Sequence, residues 1–131
     1  MLGIDTNVLV RFLVRDDETQ FDKARKLIKR EAAAGLPYFR KPFGILETEW
    51  VLRSRYNLPK NLIIEAISSL LDATDVLFED GPTVEEALFI WKDSNADFAD
   101  CLIGAKNKRL GCRATATFDA KAAKLPGFIA A

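Results

Sequence analysis

The sequence predicts an α/β domain of three layers, with helices on both faces of a short-stranded central parallel sheet. Two observations carry this. Short apolar runs alternate along the whole chain with helical periods of roughly 10 to 16 residues, the order that generates βαβ units. The chain has 131 residues, 49% hydrophobic and 29% charged, with 7 Gly and 5 Pro. It contains no linker, repeat or low-complexity tract, so it reads as one globular domain over 1–131.

Taken in order, Met1 to Asp5 reads as a very short strand. A helix follows through Val8, Leu9, Phe12 and Leu13, whose spacing makes one apolar face. A second helix runs from Glu18 to Ala34, with Phe21, Ala24, Leu27 and Ile28 inward and Gly35 as its stop. Pro37 to Pro42 is a brief strand, and Ile45 to Tyr56 a helix closed by Asn57 and Pro59. Asn61 to Ala73 is a further helix with Leu62, Ile63, Ala66 and Leu70 as its stripe. Thr74 to Phe78 is a strand. Pro82 opens a helix over Val84 to Asp93 with Glu85 and Glu86 early, where the helix dipole favours acids. Asp97 to Leu110 is a helix ended by Gly111, and Arg113 to Phe118 is the last clear strand.

The chain contains no histidine. That excludes Ser-His-Asp and Cys-His nucleophiles, a histidine acid/base pair and a His-ligated zinc site, and leaves any chemistry to carboxylates. Two cysteines, Cys101 and Cys112, cannot make a disulfide framework or a four-thiolate site, and their apolar surroundings predict core packing in a reducing cytosol. Charges from Asp5 to Glu18 interrupt any signal-like apolar run, and no stretch approaches the ~20 residues needed to span a bilayer. A cytoplasmic protein is the expectation.

The net charge is zero but unevenly spread. Residues 1–55 carry 11 basic and 8 acidic side chains, residues 56–100 carry 2 and 10, and residues 101–131 carry 6 and 1. The clusters Lys23, Arg25, Lys26, Lys29, Arg30 and Lys106, Lys108, Arg109, Arg113 read either as solvated helix faces or as local phosphate-attracting patches.

Open parallel sheets bind ligands at the carboxyl ends of their strands, and Asp5 and Asp119 fall there. Glu47 shares a helical arc with Phe43, Trp50, Val51 and Ser54, with no Lys or Arg at i−4, i+3 or i+4; an ionised carboxylate on an apolar face is costly without compensation. Glu49 is the contrast, because Arg53 at i+4 offers the usual surface pair. Asp97 and Asp100 are three apart in a helix's first turn. Capping accounts for Asp97, whereas Asp100 has Ile103 and Gly104 at i+3 and i+4, no cation, and clearance for a ligand. Asp119 could start a turn, and Asp5 could cap the first helix. Together, Asp5, Glu47, Asp100 and Asp119 would repel one another unless a multivalent cation sat among them. Oxygen ligands without His or Cys select Mg²⁺ or Mn²⁺ over Zn²⁺.

The blocks Leu2-Gly3-Ile4-Asp5-Thr6-Asn7-Val8-Leu9, Leu46-Glu47-Thr48-Glu49-Trp50-Val51-Leu52-Arg53-Ser54-Arg55-Tyr56, Ala96-Asp97-Phe98-Ala99-Asp100-Cys101-Leu102-Ile103 and Thr115-Ala116-Thr117-Phe118-Asp119 resemble, in order, the four blocks of PIN-domain proteins, in particular the VapC-type toxins of bacterial toxin-antitoxin pairs. The resemblance covers essentially the whole chain. It implies an α/β/α endoribonuclease dependent on Mg²⁺ or Mn²⁺, a homodimer, silenced by a cognate antitoxin. The four acidic positions of the family fall on Asp5, Glu47, Asp100 and Asp119. Asp97 matches an auxiliary acid, and Thr6 and Thr117 match small polar positions that would orient a carboxylate or a water. Arg40-Lys41-Pro42-Phe43-Gly44 departs from the family in being more basic than many relatives. On this reading Asp5, Asp100 and Asp119 hold the metal, and Glu47 is a fourth ligand or the base for water. RNA products would carry 5′-phosphate and 3′-hydroxyl ends, binding would weaken with salt, and single-stranded or looped RNA would be preferred. A second apolar arc, Ile45, Leu52 and Tyr56, needs a cover from the homodimer, the antitoxin or a helix of the same chain.

The nearest alternative is a PIN-like nuclease acting on DNA or in RNA maturation. A receiver-like phosphoacceptor wants paired acids after the first strand and a Lys after the last. An aspartyl phosphatase wants an acid where Asn7 stands, and no phosphate-binding glycine motif occurs.

Overall fold

The computed structural model describes residue 4 and residues 6–35, 38–39, 42–73 and 76–131, with the backbone alone at 38, 39, 42 and 43. The chain falls into two compact units, Met1–Gly81 and Pro82–Ala131.

The first unit contains α1 (Thr6–Leu13), α2 (Glu18–Ala34), β1 (Tyr38–Phe39), α3 (Pro42–Ser54), α4 (Lys60–Asp72) and β2 (Leu77–Phe78). Asp17 caps α2, its carboxylate accepting from the Gln20 amide at 3.0 Å, and the helix stops at Gly35 as its sequence indicates. Leu9 and Val10 of α1, Ala24 and Ile28 of α2 and Ile45 and Leu52 of α3 are buried, and α1 packs on both α2 and α3. Helix α3 begins at Pro42 rather than Ile45, since proline's fixed φ suits a first helical turn. Beyond its end Asn57 adopts a left-handed φ of 52°. In α4 the buried stripe is Ile63, Ile67 and Leu70, whereas Leu62, expected inside, is exposed. Strands β1 and β2 pair in parallel, Tyr38 beside Leu77 and Phe39 beside Phe78. The expected first strand, Met1 to Asp5, lies outside the described residues apart from Ile4, which is buried and not in a strand. Pro37, Arg40, Lys41, Thr74 and Asp75 also lie outside them.

The second unit is built from α5 (Gly81–Lys92, entered from the first unit's last residue), α6 (Phe98–Arg109), β3 (Thr115–Thr117), a 3-10 turn at Ala122–Lys124 and β4 (Phe128–Ala130). Thr83, Val84, Ala87, Leu88 and Trp91 form the inner face of α5, and Phe98, Cys101 and Ala105 that of α6. Trp91 and Phe98 meet ring to ring at 5.1 Å. Gly111, at φ 86°, ends α6 in the left-handed conformation that a glycine takes without strain. Strand β4 was not expected. Phe128-Ile129-Ala130 is short and follows Pro126-Gly127, yet it pairs in parallel with β3, Thr115 beside Phe128 through Thr117 beside Ala130. Cys101 is buried as expected, but Cys112 is exposed, because it follows the left-handed Gly111 rather than sitting on a helix face.

Candidate functional site

In the first unit the packing of α1 on α3 places Thr6 beside Glu47, and the Thr6 hydroxyl donates to Glu47 Oε2 at 3.1 Å across 41 residues of sequence. Glu47 is exposed, and so is Trp50, at 49%. The expectation that Glu47 lies on a buried apolar arc is therefore corrected. The buried face of α3 runs instead through Ile45, Thr48, Glu49 and Leu52, so the Glu47 side chain is in contact with water. Glu49 also differs from expectation: it pairs with Arg53 at 2.8 Å, but as a buried carboxylate at 5% exposure rather than as a surface partner. Ile45 and Leu52 are covered within the chain itself. Tyr56, expected in that apolar arc, has its hydroxyl in a polar cluster. Arg11 Nη1 donates to Asp16 Oδ1 at 3.0 Å, Oδ2 at 3.1 Å and the Tyr56 oxygen at 3.0 Å, and Tyr56 donates to Asp16 Oδ2 at 3.1 Å. This ties α1 to the segment before α2 and to the turn after α3. Burial pushes the Tyr56 phenol up, and its bond to Asp16 adds to that.

In the second unit Asp97 occupies the cap position of α6, but its carboxylate makes no capping bond, so capping does not account for it. Asp97 and Asp119 line one shallow depression of about 290 Å³ with Ala120 and Lys121. Asp100, half-buried in the first turn of α6, has its carboxyl pushed above the usual carboxylate range by burial, then by the charge of Asp119 and that of Asp97. Asp119 does shape a turn. Its Oδ1 accepts from the amides of Lys121 at 2.8 Å and Ala122 at 2.9 Å, while Oδ2 has no hydrogen bond among the described residues. The Thr117 hydroxyl accepts from the Asp119 amide at 3.0 Å, so Thr117 fixes the backbone of Asp119 rather than its carboxylate. Gly104 is not clearance for a ligand: a Cβ there would stand 2.8 Å from Cζ of Phe128, whose ring fills that space.

Asp119 and Asp97 thus act on Asp100 in the second unit, and Thr6 and Glu47 meet in the first. Asp5 lies outside the described residues. Among the described residues no three Asp, Glu or Cys side chains stand close enough together to hold a metal ion. Lys121 was missed from sequence; the signal was its place two residues after an aspartate that makes an Asx turn. Of the basic clusters, Arg25 and Lys26 pair with Asp22, and Lys108 and Arg109 with Glu86, which is the behaviour of solvated helix faces. No helix among the described residues is long and apolar enough to cross a membrane.

The PIN-domain family profile matches residues 3–127. The VapC ribonuclease of Aquifex aeolicus (strain VF5) is 27% identical over 124 residues, covering 93% of this chain and 90% of that protein. The expected three-layer α/β/α class is that of the matching family, and the parallel strand pairs and flanking helices accord with it. A profile that spans nearly the whole chain establishes that this chain belongs to the PIN-domain family.

Proposed function

We propose that this chain is a single PIN domain over 1–131 that hydrolyses RNA phosphodiester bonds with Mg²⁺ or Mn²⁺, as the cytoplasmic toxin of a type II toxin-antitoxin pair and a homodimer bound by a cognate antitoxin. The observation that carries the reading is the half-buried Asp100 carboxyl, raised by burial and then by the charges of Asp119 and Asp97, in a chain similar to a VapC ribonuclease. Carboxylates that crowd a half-buried acid and supply only oxygen donors fit a hard divalent ion. Asp100 and Asp119 would hold it, with Asp5 assigned by the family resemblance alone and Asp97 auxiliary. When bound, such an ion neutralises charge on a phosphoryl oxygen and makes a water more acidic.

The chain's own residues do the rest. Asp119 is pre-set, because Oδ1 is fixed by two amides and Oδ2 is left for a ligand. Thr6 orients Glu47, whose water-exposed carboxylate suits a base for the attacking water or a further ligand. With no histidine in the chain, proton transfer falls to carboxylates and water. Incubation of the purified chain with a mixed RNA pool tests the reading. Cleavage in Mg²⁺ or Mn²⁺, loss in EDTA and in folded Asp5→Asn/Asp100→Asn, and 5′-phosphate ends are expected. Cleavage that persists in EDTA, or none by folded protein in either metal, overturns it.

A further inference from the structure

In the second unit a groove of about 680 Å³ runs between the end of α5 and the 3-10 turn after β3. Its lining includes Phe89, Asp93, Asn95, Lys121, Lys124 and Pro126. Lys121 is shared with the depression that holds Asp97 and Asp119, so the groove adjoins those two acids. Lys121 and Lys124 are exposed, and neither ammonium forms an ion pair among the described residues. Phe89 lies on the outer face of α5 and is 76% exposed, although the inner face of that helix buries its apolar side chains normally. An unpartnered aromatic face beside two unpaired ammonium groups is the combination that binds single strands, the ring stacking a base and the lysines tracking phosphates.

We infer that this groove is the subsite for the single-stranded RNA flanking the cleaved bond, with Lys121 and Lys124 on consecutive phosphates and a base stacked on Phe89. Asp93 and Asn95 on the same wall can accept from a base amino group. The assignment rests on the nuclease reading above and extends it to a stretch of strand outside the acids.

Fluorescence anisotropy of 5′-fluorescein-labelled 12-nucleotide oligo(U) and oligo(A) RNA, titrated with the full chain in EDTA over a salt series, tests it. Phe89→Ala should weaken binding about tenfold or more. Lys121→Gln/Lys124→Gln should weaken it and lower the salt slope by about 1.4, at ~0.7 for each phosphate contact on a single strand. Oligonucleotide carrying 5-iodouridine should photo-cross-link at Phe89. Wild-type affinity and slope in both variants, with the wild type itself binding and cleaving RNA, overturn the subsite and leave the nuclease reading standing. No binding and no cleavage by folded wild type overturn both. A change of sedimentation-equilibrium mass in Phe89→Ala at unchanged RNA affinity assigns the groove to a second copy of the chain and overturns the proposal.

Discussion

Gly104→Ala should destabilise the protein, although helix propensity alone favours it. Gly104 lies mid-helix in α6, where alanine stabilises by about 1 kcal/mol relative to glycine. Against this, the added Cβ would stand 2.8 Å from Phe128 Cζ and closer still to Cε1, inside van der Waals contact. Overpacking of this kind costs about 1–3 kcal/mol. A cavity of about 230 Å³ lined by Gly104 and Phe128 lets the ring move aside, so the penalty comes as lost ring contact rather than unfolding. The net loss is about 1 kcal/mol, or about 4 °C in melting temperature for a chain of this length. Because Phe128 belongs to β4, which pairs with β3 just before Asp119, the displaced contact also shifts Asp100 relative to Asp119 and should weaken Mg²⁺ binding. Urea unfolding of Gly104→Ala in wild-type and Phe128→Leu backgrounds gives the coupling directly. The sign should reverse, with alanine destabilising beside Phe128 and stabilising beside Leu. Stabilisation in both backgrounds refutes the packing argument.

Further expectations follow from the same geometry. Burial, Asp119 and Asp97 raise the Asp100 carboxyl, so the folded protein holds that proton more tightly than the unfolded chain. Stability in EDTA should therefore fall as pH rises from the ordinary carboxylate range through the raised value, with a slope no steeper than about 1.4 kcal/mol per pH unit for one proton. Asp100→Asn should abolish that fall, and parallel pH–stability curves for the two proteins would count against the burial argument. Glu49→Gln should lower stability by about 1 kcal/mol by weakening the bond of its buried carboxylate to the exposed Arg53 and leave RNA cleavage unchanged, whereas Glu47→Gln should do the reverse; the opposite pattern in melting and cleavage assays contradicts the assignment of roles on α3. Thr6→Val should reduce kcat about tenfold with KM unchanged and Thr6→Ser should restore it, unless the 3.1 Å bond to Glu47 has no part in positioning, in which case all three proteins cleave alike.

Helices α2 and α6 were legible in the sequence almost to the residue, because a glycine stop, Gly35 and Gly111, closes each of them. Strand β4 was not, since three residues after Pro-Gly carry no period, and its pairing to β3 is a tertiary fact. Among the acids the candidates were legible and their environments were not. Glu47 was singled out for an apolar arc that is in fact the exposed side of α3, because helical spacing alone does not say which of two arcs faces inward. The Thr6–Glu47 bond joins residues 41 apart, and the pressure of Asp119 on Asp100 depends on how β3 lies against α6; neither follows from local pattern. Gly104 reads as open space in a helix wheel, and only the unforeseen β4 shows that Phe128 fills it.

The most direct test of the account is Mn²⁺ binding followed by electron paramagnetic resonance, with RNA cleavage measured on the same preparations of wild type, Asp100→Asn and Asp119→Asn. The account predicts that wild type takes up Mn²⁺ and cleaves, and that each folded variant loses binding and cleavage together. Variants that cleave at the wild-type rate after losing the ion, or that keep the ion with unchanged affinity, contradict it.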